Sequence, residues 1–99
     1  MGAIDKAVVA RFLAAASDPV RLEIVFLLCE QGRMNVGAIA AQFRLSRPAI
    51  SHHLKVLKDA SIVRSAKQGQ EIGYWLDNDY VIQQLRLLAD SVAECQDTM

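Results

Sequence analysis

SRPAISHHLKVLKDASIV, residues Ser46–Val63, decides how the chain is read. The Ser46 hydroxyl suits the free amides of a first helical turn, and Pro48 is tolerated there because those amides have no intrahelical partner. A helix is therefore expected to begin near Arg47. Ile50, Leu54 and Leu57 follow at i, i+4 and i+7, which makes one apolar stripe and one core face. At 100° per residue the opposite side carries Pro48, Ser51, His52 and Lys55, with Arg47 and Lys58 on the flank. Hydroxyl, imidazole, ammonium and guanidinium groups on one exposed face are the donors that reach phosphates and base edges in a major groove.

The segments on either side extend this reading. Val36, Ile39, Ala40 and Phe43 mark a short amphipathic helix, and only Arg44, Leu45 and Ser46 separate it from the next. Two helices joined by so short a turn predict a helix-turn-helix. Behind the second helix, Ile62 to Lys67 is strand-like and Gln68-Gly69-Gln70 is a turn. Glu71 to Leu76 then places Ile72, Tyr74 and Leu76 on one face. Such a hairpin is a wing, with Arg64 and Lys67 available for phosphates.

Charge is distributed in the same pattern. The formal net charge of the 99 residues is zero. Between Arg33 and Lys67, however, the basic residues are Arg33, Arg44, Arg47, Lys55, Lys58, Arg64 and Lys67, and the single acid is Asp59. The acids are concentrated in the flanking segments. A basic block that coincides with the helix-turn-helix and wing fits a nucleic-acid reader better than a merely solvated face.

Three segments together resemble the arsenic-repressor (ArsR) family of small bacterial winged helix-turn-helix regulators. They are DPVRLEIVFLL (Asp18–Leu28), the Ser46–Val63 stretch, and the hairpin end GYWL (Gly73–Leu76), so the similarity spans roughly residues 7–95. The resemblance implies a mainly helical fold with a small β-hairpin. It also implies a homodimer formed by the first and last helices, seated on a twofold double-stranded DNA operator near a promoter and released by an inducer. A repressor is implied before an activator.

Length and composition agree with one domain over residues 1–99. So short a chain buries a modest fraction of its surface, and 53% hydrophobic residues with only 6% aromatic ones leave more apolar surface than one small core hides. A dimer interface is the natural place for the surplus. The N-terminus MGAIDKAVVARF is amphipathic and charged rather than a signal peptide, and no apolar run approaches the ~20 residues of a membrane span. A cytoplasmic protein is expected.

The first helix is predicted from about Asp5 to Ala16. Asp18 caps a second helix with Pro19 in its first position and Gly32 at its end, and Leu22, Val25, Phe26 and Cys29 are expected to supply its inward face. Asp77 or Asn78 caps a last helix in which Val81, Leu85, Leu88 and Val92, widened by Ile82 and Ala89, recur at coiled-coil spacing. That seam either lies on its own domain or, as the resemblance favours, pairs across a twofold axis.

Cys29 and Cys95 fall on the second and last helices. One subgroup of the resembling family senses persulfides, oxidants or electrophiles through a cysteine pair so placed, which implies a dithiol switch between Cys29 and Cys95. A disulfide needs Cα atoms about 4.4–6.8 Å apart, and a reducing cytoplasm would keep the resting pair as thiols. Two other readings stay open: inert cysteines, with Cys29 in the core, and a thiophilic metal or metalloid site. Glu30 and Glu94 beside the thiols argue against a highly reactive resting thiolate.

Other metal sites of the family are not matched. Gly32 to Ala40 lacks the cysteines of arsenic- and cadmium-binding members, and the last helix lacks the histidine that zinc sensors use. His52 and His53 are adjacent and point about 100° apart, so they suit DNA contact and seam packing rather than chelation of one ion. No cofactor is called for. An enzyme finds no glycine-rich phosphate loop, nucleophile elbow or acid pair. A winged-helix protein-interaction module competes more seriously, because Gln70 and Glu71 stand at the wing where the family often has a basic residue.

Overall fold

The computed structural model describes residues 5–97. Met1–Ile4, read above as the start of an amphipathic N-terminus, lie outside the described residues. In chain order the elements are α1 (Lys6–Ala16), α2 (Pro19–Gln31), β1 (Met34–Asn35), α3 (Val36–Ala40), α4 (Arg47–Asp59), β2 (Val63–Gln68), β3 (Glu71–Leu76) and α5 (Asn78–Asp97). The architecture is the expected winged helix-turn-helix.

Short polar side chains start every helix by satisfying amides that have no partner within it. Asp5 accepts from the amides of Ala7 and Val8 at 3.1 and 3.3 Å, and Asp18 from those of Val20 and Arg21 at 2.9 and 3.1 Å. Asn35 Oδ1 accepts from Ala38 at 2.8 Å, Ser46 Oγ from Ala49 at 3.2 Å, and Asp77 Oδ1 from Tyr80 at 3.1 Å. Pro19 and Pro48 fall in first turns, where their missing N–H costs nothing. Gly32 ends α2 with φ +74° and its amide on the Leu28 carbonyl at 2.9 Å.

The core forms around α4. Ile50, Leu54 and Leu57 are fully buried and meet Ile24 and Leu28 of α2, Ile39 of α3, Phe12 of α1, and Ile62 and Val63 at the start of the wing. Each such side chain contributes about 1.5–3 kcal/mol relative to exposure.

Between α4 and β2 the chain reverses through a Schellman motif. The Ile62 amide donates to Leu57 O at 3.0 Å and the Ser61 amide to Lys58 O at 2.9 Å. The fully buried Leu57 and Ile62 fasten the motif's two ends. Its pivot, Ser61, carries φ +66° without being glycine. The wing then pairs antiparallel from Val63↔Leu76 to Gln68↔Glu71, closed by Gly69 and Gln70 with Gly69 at φ +64°.

Four features differ from expectation. First, α3 ends at Ala40, and from Gln42 its bonds tighten to i→i−3 (Gln42 to Ile39 at 3.0 Å, Phe43 to Ala40 at 3.1 Å), so the turn before α4 is longer than three residues. Second, the inward face of α2 is Ile24 and Leu28. Leu22 and Phe26 are 41% and 58% exposed and Cys29 is also exposed, with only Val25 half-buried. Apart from Arg21, Glu23, Glu30 and Gln31, α2 is apolar, so periodicity cannot choose between two stripes that each recur at helical spacing. Third, Met34 and Asn35 add a strand to the wing, giving the sheet order β1-β3-β2. Fourth, Ile72 extends past the core and is exposed, whereas Tyr74 and Leu76 on the same face are half-buried.

A left-handed backbone costs a residue with a Cβ about 1–2 kcal/mol. Ser61→Gly is therefore expected to raise stability by about 1 kcal/mol and Ser61→Val to lower it, both read from urea unfolding midpoints at unchanged m-value.

Candidate nucleic-acid interface

The exposed side of α4 is presented by the buried side. With Ile50, Leu54 and Leu57 inward, Arg47, Pro48, Ser51, His52 and Lys55 are all exposed. Ser46 is exposed too, but its oxygen is already engaged as the helix cap. Lys55 Nζ pairs with Asp59 Oδ2 one turn along at 2.9 Å, a solvated ion pair that phosphate can displace at little cost. On the wing, Lys67 is exposed near the turn, and Arg64 reaches toward Asp77, with Nη1 and Oδ2 4.0 Å apart.

Two arginines outside the predicted set hold α4 in place. Arg21 donates through Nε to the Ala15 carbonyl at 2.7 Å and lies with Nη1 3.2 Å from His53 Nδ1. Arg11 donates through Nη2 to the Asp59 carbonyl at 2.6 Å, at the C-terminal end of α4 where a cation suits the helix dipole. His53, expected as seam packing, is half-buried against Arg21 instead. The signal was present in DPVR, where an arginine follows a capped helix start.

The wing has its own ties. Asn35 uses its carbonyl oxygen to cap α3 and its amide to donate to Glu71 Oε2 at 3.0 Å, so one side chain joins helix-turn-helix to wing. Glu71, an acid in a region expected to approach DNA, is thereby held toward β1. Arg33 stacks on Trp75 at 4.9 Å and donates to the Ala66 carbonyl at 3.2 Å, crossing β3 where Gly73 has no side chain. A Cβ at Gly73 would run into that guanidinium.

Elsewhere, α1, α2 and α5 border an apolar groove of about 530 Å³ lined by residues including Leu13, Leu22, Phe26, Ile82 and Leu85. Cys29 is on its wall. Cys95 lies in the last turns of α5 and is exposed, so neither thiol belongs to the core.

The bacterial regulatory protein arsR family model matches residues 18–65, from the α2 cap through α4 into the wing. A helix-turn-helix-type transcriptional regulator of Methanocaldococcus jannaschii is 39% identical over 80% of this chain and 89% of its own. The chain belongs to the ArsR family. An arsenical resistance operon repressor of Staphylococcus xylosus is 36% identical over 84% of this ArsR chain and 82% of its own. Among solved structures, an ArsR-like transcriptional regulator from Rhodococcus sp. RHA1 superposes with a TM-score of 0.84 at 32% identity, covering 93% of this chain and 86% of that one. Members are DNA-binding transcriptional regulators and not enzymes. Among the described residues no helix is long and apolar enough to cross a membrane.

The N-cap of α2 carries a pH signature. The backbone hydrogen bond from Arg21 holds the Asp18 carboxyl below its ordinary value of 3.8. Partial burial opposes this, and the Val20 amide and the charges of Arg21 and His53 add to it. A depressed carboxyl contributes stability that is complete above the unfolded value and disappears as pH falls through the folded one. Asp18→Asn keeps a capping oxygen but cannot titrate. Its thermal midpoint should match wild type more closely below pH 3.8 than at neutrality, measured by circular dichroism over a pH series.

Proposed function

We propose that this ArsR-family chain is a dimeric transcriptional repressor in which α4 reads a twofold operator and the wing holds flanking phosphates, with release driven by bridging of Cys29 and Cys95. The observation that carries the DNA reading is the division of α4 into a fully buried stripe and an exposed face bearing Arg47, Ser51, His52 and Lys55. Arg47 and Ser51 are the candidates for base edges, and Ser46, Pro48, Arg64 and Lys67 border the same contact. Dimerisation is supported by the open groove and by Leu85 and Val92, 49% and 56% exposed on α5, since so much apolar surface wants a partner. A second copy would supply it and would present two recognition helices about one DNA turn, ~34–36 Å, apart.

Both thiols are accessible to a small reagent in the single chain. A persulfide would pass its outer sulfur to one thiol with loss of the parent thiol. The second thiol would then displace hydrogen sulfide, leaving a disulfide. An oxidant such as diamide would remove the same two electrons and two protons directly. The bridge would tie α5 to α2, whose Ile24 and Leu28 support α4, so an event at the dimer layer could alter the spacing of the recognition helices. The staphylococcal relative is an arsenical resistance operon repressor, which favours a second reading in which the two thiols take a thiophilic metalloid. Among the described residues no three His, Cys, Asp or Glu side chains converge as a metal set.

Arg47→Ala or Ser51→Ala should relax base preference at a loss of about 1–3 kcal/mol on selected DNA, whereas Lys67→Ala should weaken all sequences alike and flatten the salt slope by about one. Equal losses on selected and random duplexes for Arg47→Ala would remove it from base readout. For the switch, treatment with persulfide or diamide should lower wild-type DNA affinity about 5- to 150-fold, the range of ordinary allosteric coupling. Cys29→Ser and Cys95→Ser should each bind DNA constitutively in the same anisotropy titration. A mutant that still releases DNA, or a bridged wild type that keeps its affinity, would return the cysteines to passive roles.

A further inference from the structure

We propose that Arg21 and His53 are a positioning pair that seats the recognition helix on α2, and that the seat holds only while His53 is neutral. This rests on the reading of α4 as the DNA-recognition helix. A guanidinium is a donor with no acceptor and stays protonated. With Arg21 Nη1 3.2 Å away, His53 Nδ1 can take part only as an acceptor, so the single ring proton belongs on Nε2. Arg21 is itself held at two other points, by its Nε on the Ala15 carbonyl at 2.7 Å and its amide on Asp18 Oδ1 at 3.1 Å. One side chain thus joins the end of α1, the start of α2 and the middle of α4.

His53 occupies the boundary of α4, between the buried Leu54 and the exposed His52. A contact there opposes rotation of the helix about its axis, the motion that would carry Arg47, Ser51 and His52 off their bases. Protonation would put a second cation against the guanidinium in a half-buried space and remove the only lone pair in the contact. Among the described residues, other ionisable groups beside the ring are Asp18, which caps α2, and His52 on its own helix, with ring centroids 6.0 Å apart for the two histidines. α1 brings Arg11, which is committed to the Asp59 carbonyl. Asp18 favours the imidazolium, but its Oδ1 is already held by two amides, while the guanidinium touches the ring nitrogen itself. Added positive charge would also strengthen general attraction to phosphate. The signature of an unseated helix is therefore a loss of discrimination between sequences rather than a loss of all binding.

The test uses the full chain, a duplex enriched by it from a random pool, and a random duplex of equal length, with affinities compared at about pH 7.5 and about pH 5.5, across the histidine window. The wild-type ratio of selected to random affinity should fall about five-fold or more on acidification. His53→Gln, whose amide oxygen can accept from Arg21 without titrating, should keep its ratio unchanged between the two pH values. Long-range ¹H–¹⁵N spectra of the wild type should show an unprotonated Nδ1 on His53 at the higher pH. A protonated Nδ1 there, or a His53→Gln ratio that falls with pH like wild type, overturns the proposal. If no duplex is enriched, the DNA reading fails separately. The pair is then judged by the spectra and by hydrogen-exchange protection of α4, expected to drop with acid in wild type and not in His53→Gln.

Discussion

Burial of the Ile50, Leu54 and Leu57 stripe is the constraint on which the rest of this molecule depends. Those side chains are fully enclosed, and they are enclosed by the elements around α4: Ile24 and Leu28 from α2, Ile39 from α3, Ile62 at the entry to the wing. A helix whose one side is committed in this way has no freedom over which side it shows to solvent. The exposed Arg47, Ser51, His52 and Lys55 are therefore placed by the apolar residues behind them, and the polar face is a consequence of packing on the opposite one.

Polar contacts refine that placement. The solvated Lys55–Asp59 pair adds only a few tenths of a kcal/mol. Arg21 and Arg11 matter more, because each guanidinium ends on a main-chain carbonyl of another segment or helix end, and so fixes the angle at which elements meet. Asn35 and Arg33 do the corresponding work for the wing. One divides its amide between α3 and Glu71, and the other lies across β3 on Trp75, in space that only Gly73 leaves open. α4 and the wing are thus tied to one frame by a handful of side chains.

The apolar surplus follows from size. A chain of 99 residues with 53% hydrophobic composition cannot enclose all of it, and much of the remainder gathers along α1, α2 and α5. Phe26, at 58% exposure, is the clearest sign that α2 has two apolar faces, one for the core and one for the groove. The Cys29 residue lies on that second face, on the wall of the groove.

Much of this was legible from residues alone. Ser46 as a cap, the three-member stripe of α4, the wing turn at Gly69 and the starts of α2 and α5 depend on neighbours within a few positions, and local patterns report them faithfully. The family was legible for the same reason, since its signature lies in those contiguous segments. Tertiary structure decided what local periodicity leaves degenerate. It chose Ile24 and Leu28 over Leu22, Phe26 and Cys29 as the inner face of α2, because a helix with two apolar stripes is oriented by what it meets. It recruited Met34 and Asn35 as an edge strand, which two residues cannot announce without β3 beside them. And it brought Arg21 to His53 across 32 positions of chain, a contact made by the folding of α2 against α4 and by nothing that either segment shows alone.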